Sequence, residues 1–106
     1  MPERLSIMTA TVAERVARGA ALLDEKVPGW RERINLDTFA ISSCERCILG
    51  QVYGYYATGL GELRRPRSDP YSKAADLFAV SHGFMYSRHR EVGELGDAWR
   101  AELATC

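Results

Sequence analysis

Between Arg46 and Glu62 the chain runs fifteen residues, Cys47 to Gly61, without a formal charge. In a sequence that is 26% charged, such a gap marks the segment around which the remainder must fold. It is too short, and too rich in Tyr, Gly and Gln, to cross a bilayer, which takes about 20 apolar residues. The expectation is a buried central helix over 43–63, opened by a capping box at Ser42-Ser43-Cys44-Glu45. At 100° per residue its bulky face would carry Cys44, Ile48, Leu49, Val52, Tyr55, Tyr56, Gly59 and Leu63. Gly50, Gly54, Ala57 and Gly61 would form a seam of small residues on the opposite side. Tyr53 falls at the border of face and seam, where aromatics often mark an interface.

The flanking segments read as further helices. Thr11-Val12-Ala13-Glu14 is a capping box, and Val12, Val16, Ala20, Leu23 and Val27 recur at helical spacing, with Arg15 and its charged neighbours mostly off that stripe. Pro28-Gly29 stops this helix, and Trp30 is expected to plug the core. Arg31 to Ile34 adds a turn, and 36–41 is a linker docked through Leu36, Phe39 and Ile41. Asp69 and Pro70 can open a third helix with Ala74, Leu77, Phe78 and Ser81 inward, closed by His82-Gly83-Phe84. Ser87 can cap a fourth, with its stripe at Val92, Leu95, Trp99 and Leu103. The expected core centres on Leu23, Trp30, Ile48, Val52, Tyr55, Phe78, Leu95 and Trp99. The fold class is therefore all-α: one compact domain over 1–106, about four helices, with 1–9 a flexible N-terminus.

Bulk composition narrows function mainly by exclusion. Fourteen basic and fourteen acidic side chains cancel, so no whole-molecule field draws the chain to nucleic acid or an anionic membrane. Residues 1–11 have no apolar core of the signal-peptide kind, and three cysteines are too few and odd for a disulfide scaffold. A reducing cytoplasm is the expected location. Gly-rich phosphate loops, paired carboxylates and nucleophile–base motifs are absent from the sequence.

Cys44 and Cys47 have the spacing of half a structural zinc site, which takes four ligands. His82, His89 and Cys106 do not complete one at the usual spacing, and no second C-x-x-C exists. A redox dithiol would be expected after a strand, and no strand precedes Ser42. Reduced packing residues are the default for the pair, with no metal and no cofactor. His82 suits a helix end as a donor to free carbonyls. Arg64, Arg65 and Arg67, joined with Arg88, His89 and Arg90, are candidates for a basic patch, offset by Glu91, Glu94 and Asp97. The small-residue seam is the candidate interface, toward another helix of the chain, a second copy or a host protein.

The runs Gly19 to Glu25, Pro28-Gly29-Trp30, Ile34 to Asp37 and above all Cys44 to Gly54, with Gly83-Phe84 and Trp99, resemble a family of small proteins of actinobacterial phages and prophages. That resemblance implies an intracellular accessory role in the infected cell and carries over no catalytic residue. The functional expectation is a non-enzymatic module acting by protein–protein contact. A nucleic-acid-binding regulator using the arginines is the alternative.

Overall fold

The computed structural model describes residues 11–64 and 73–104, which form five α-helices and no strand. The first, α1 (Val12–Lys26), starts as its sequence demands. Thr11 Oγ1 accepts the Glu14 N–H at 3.1 Å, and the Glu14 carboxylate accepts the Thr11 N–H at 2.9 Å. Its inward stripe is Val12, Val16, Ala20 and Leu23, all buried. Past Val27 the chain reverses at Gly29, and Trp30 is 1% exposed within a short 3-10 turn, Trp30–Arg33. Its indole N–H donates to Asp24 at 2.8 Å. Arg31, which also bonds Asp24, bridges onward to Glu102 at 3.2 Å. Those bonds from Arg31, then from Trp30, hold the Asp24 carboxyl below its ordinary range.

The long uncharged segment is not one helix. It forms α2 (Ile48–Tyr53) and α3 (Tyr56–Leu63), separated by Gly54 at φ 95° and an extended Tyr55. Gly54 ends α2 with its N–H on the Gly50 carbonyl at 2.7 Å, in a left-handed conformation that costs glycine little. The expected start is displaced as well. Ser43 Oγ accepts from the N–H groups of Glu45 and Arg46, closing a local turn, and the N-cap of α2 is Cys47. The turn doubles back onto α2 so closely that a Cβ on Gly50 would overlap the Cys44 carbonyl. Two projections fail as a result. Tyr55 is 46% exposed instead of lying in the core, and Cys44 is exposed.

The two remaining helices are α4 (Lys73–Ser81) and α5 (Val92–Ala104). On α5 the expected stripe holds, with Leu95 and Trp99 fully buried. On α4 it does not: Ala75 and Ala79 face inward, Phe78 is half-buried, and Ala74 and Leu77 stand outside. The small alanines let α4 lie close against α1. The expected N-terminus of this helix at Asp69 and Pro70, like the flexible segment 1–9, lies outside the described residues.

At the end of α4 the chain crosses α1 backbone against backbone. Gly83, at φ 71°, and Phe84 return their N–H groups to Val80 and Ala79, as the sequence predicts. A Cβ on Gly83 would come within 2.8 Å of the Val16 backbone, and one on Gly19 would strike the His82 carbonyl. Backbone meets backbone there, and the Trp99 indole N–H seals the contact by donating to the Gly83 carbonyl at 2.6 Å. Trp30 and Phe84 pack on Trp99, edge-on at 6.0 Å and stacked at 5.9 Å. Helices α1, α4 and α5 thus share one core, with α2 and α3 filling its remaining side. A radius of gyration of 12.9 Å is that of one compact domain of this length.

Arg15 departs from the sequence reading, which set it mostly off the α1 stripe. It is 5% exposed, and its guanidinium meets Glu91 at 3.1 Å while its Nε–H is buried without a partner. Glu91 also accepts from the Ser87 N–H and hydroxyl. Burial pushes the Glu91 carboxyl up, but the bonds from Ser87 and Arg15 together outweigh it and hold it below the usual value.

Substitutions at Gly83, Gly93 and Glu91 test this architecture. Gly83→Ala combines left-handed strain of about 1–2 kcal/mol with a backbone collision, so urea unfolding should show a loss of at least about 2 kcal/mol. Gly93→Ala, with nothing within 4 Å of its new Cβ, should be neutral or gain up to about 1 kcal/mol. Glu91→Ala should cost about 3–5 kcal/mol by stranding a buried cation, and adding Arg15→Met should recover part of it. Because the Glu91 pKa is depressed, its contribution is present above the ordinary carboxylate range. It disappears as pH falls through the lowered native value, so melting temperature should drop on acidification and do so less in the double variant.

Candidate functional site

The turn that displaces the start of α2 also creates the most chemically distinctive corner of the protein. Cys44 and Cys47 lie at its two ends, and both are free thiols. Cys47 is 2% exposed, and its sulfur accepts the Gly50 N–H at 3.3 Å. Burial pushes the Cys47 thiol up, the Gly50 N–H opposes this, and the neighbouring Cys44 adds to the rise. The Cys44 carbonyl accepts the Tyr56 N–H at 2.8 Å, which fixes the turn against the start of α3. Together with Ser43, Tyr56, Met85 and Tyr86 the two cysteines line a cleft of about 50 Å³. Burial raises the Tyr56 phenol far above its ordinary range, so it is a neutral hydroxyl there.

Reading Cys44 as a packing residue fails on its exposure; the description fits only Cys47. The pair joins a thioether from the segment after α4, some forty residues away, which C-x-x-C spacing does not reveal. Among the described residues no group of three or more His, Cys, Asp or Glu side chains is placed to hold a metal ion. His82 is occupied at its helix end, with Nδ1 on the Phe78 carbonyl at 2.9 Å and its ring stacked on Phe78. Cys106 lies outside the described residues.

The small-residue seam does not survive as one surface. Gly50 is buried under the 44–45 turn, Gly54 is an exposed helix end with open space beside it, and Ala57 and Gly61 belong to a different helix. Tyr53 is half-buried, with its ring lying over Gly59. The close helix approach expected of the seam occurs instead between Gly19 of α1 and the 82–83 carbonyl segment.

The basic candidates are only partly gathered. Arg64 is half-buried at the end of α3, and Arg65 and Arg67 lie outside the described residues. Arg88, His89 and Arg90 are all exposed on the short turn before α5. Glu91, which the sequence sets beside them as an offset, is turned inward to Arg15, leaving the outer side of this turn more basic than its composition implies.

The last feature is one that the sequence misplaced. Leu77 is 66% exposed on the outer side of α4, next to exposed Ala74 and half-buried Phe78. The helical period was read correctly. Its phase differs from the pattern of bulk, because two alanines and not Leu77 point inward.

No family model, curated protein or solved structure matches this chain. No helix among the described residues is long and apolar enough to cross a membrane.

The contrast between the two thiols gives a direct check. In a Cys106→Ser background, one equivalent of iodoacetamide should modify Cys44 well before Cys47, as read by peptide mass spectrometry. Equal rates would mean that Cys47 is not buried as described.

Proposed function

We propose that this protein works by protein–protein contact and not by catalysis, through the outer face of α4. The observation that carries the reading is Leu77, a large apolar side chain 66% exposed on a helix whose inward face is already filled by alanines. Exposed Lys73 and Asp76 on the same helix give the surface one charge of each sign. A second copy of the chain is the partner that these features favour. Small Ala74 beside bulky Leu77 offers a hole and a knob, and an antiparallel two-fold pairing sets unlike charges across its axis. A net charge of zero also leaves no repulsion between copies.

A helix of nine residues is about 14 Å long, so the contact belongs at the small, transient end of interfaces. The resemblance to small phage and prophage proteins supports an accessory role inside an infected cell. A second reading, nucleic-acid binding, is favoured only by exposed Arg88, His89 and Arg90 with Glu91 turned away.

Analytical ultracentrifugation over a concentration series should show reversible self-association that Leu77→Asp abolishes, with the fold retained. A monomer at every concentration would overturn the second-copy reading. Binding of labelled duplex DNA with a steep salt slope, lost in Arg88→Glu, Arg90→Glu and untouched by Leu77→Asp, would favour the second reading instead.

A further inference from the structure

We propose that Cys44, Cys47 and Met85 form a three-sulfur site for a soft monovalent cation of the copper(I) type. This site lies on the 41–47 turn, apart from the outer face of α4, and stands or falls independently of it.

Size restricts the occupant first. A cleft of about 50 Å³ holds one or two waters or a bare ion, far below the roughly 300–1,000 Å³ of organic-ligand sites. The donor set restricts it further. Cys44, Cys47 and Met85 line the same cleft, and none of the described residues lining it is charged. Zinc takes four nitrogen, sulfur or oxygen ligands, and no qualifying His, Cys, Asp or Glu cluster occurs among the described residues. Soft thiolate and thioether ligands select copper(I), and methionine has little to offer a harder ion.

The backbone holds the two cysteines in place before any ion arrives. Ser43 Oγ bonds two N–H groups of the turn, the Cys44 carbonyl is anchored by Tyr56 N–H, and the Cys47 N–H bonds the Ser43 carbonyl at 3.0 Å. On binding, each thiol releases its proton to solvent and the copper keeps its oxidation state, so two thiolates and one cation leave a single negative charge. The Gly50 N–H directed at Cys47 Sγ stabilises part of it. Exposed Cys44 gives an incoming ion its first ligand, and half-buried Met85 and buried Cys47 draw it inward.

The test uses the full chain carrying Cys106→Ser, under nitrogen with ascorbate, titrated with copper(I) against the coloured bicinchoninate complex. One equivalent of copper should be withdrawn from the indicator, with a rise in melting temperature. Cys44→Ser should abolish the withdrawal without loss of fold, since Cys44 is exposed. Met85→Leu, close to volume-conserving, should weaken binding at least about tenfold, the scale on which a lost metal-site partner tells. X-ray absorption should report three-coordinate copper in the parent and two-coordinate copper in Met85→Leu. Failure to compete with bicinchoninate, an affinity indifferent to Met85, or zinc held as tightly as copper(I) would each overturn the proposal.

Discussion

The hydrogen bond from the Trp99 indole to the Gly83 carbonyl holds three helices in register. Gly83 can present that carbonyl only because it takes a left-handed turn pressed against the Val16 backbone, which fixes α4 on α1. Trp99 reaches it because α5 also packs on α1, with Trp30 edge-on against its ring. A buried indole N–H without a partner would cost about as much as several of the packing contacts around it. Sequence spacing, turn chemistry and the aromatic core therefore converge on a single carbonyl oxygen, and α2 and α3 are accommodated around that arrangement.

Those features were legible where local signals and long-range packing agree. Thr11 with Glu14, Pro28-Gly29 before Trp30, the left-handed Gly83 and the Leu95–Trp99 stripe are each written in a few adjacent residues. The uncharged segment failed because periodicity alone cannot distinguish one long helix from two short ones. What decides the matter is the 44–47 turn folding onto Gly50, a contact created by tertiary structure. On α4 the amplitude of the apolar pattern was weak, and close approach favoured Ala75 and Ala79 over Leu77. The inward turn of Arg15 is invisible to local pattern because its counter-charge, Glu91, lies 76 residues away. The cleft was half visible: Cys44 and Cys47 stand in a recognisable motif, whereas Met85 arrives from another part of the chain.

The two surfaces differ in physical character. The outer face of α4 is apolar, open and shallow, suited to association that forms and dissolves readily. The cleft beside α3 is small, sulfur-lined and backed by hydrogen-bonded backbone. Its walls come from three segments, so its shape depends on the docking of the 41–47 turn, α3 and the strand of chain after α4 on one another. Neither surface requires the helices of the core to move.

The pairing of α1 with α5 bears on how the chain reaches this structure. Arg15 with Glu91 and Arg31 with Glu102 join positions 76 and 71 residues apart. Closing a loop of that length costs roughly 4 kcal/mol in chain entropy alone. Helices α2 and α3 have only six and eight residues, well below the length at which an isolated helix is stable in water. The middle of the chain therefore provides little structure of its own to shorten that search. Folding should be cooperative and late, with the first and last helices meeting as the decisive event, and slower than the all-helical composition suggests.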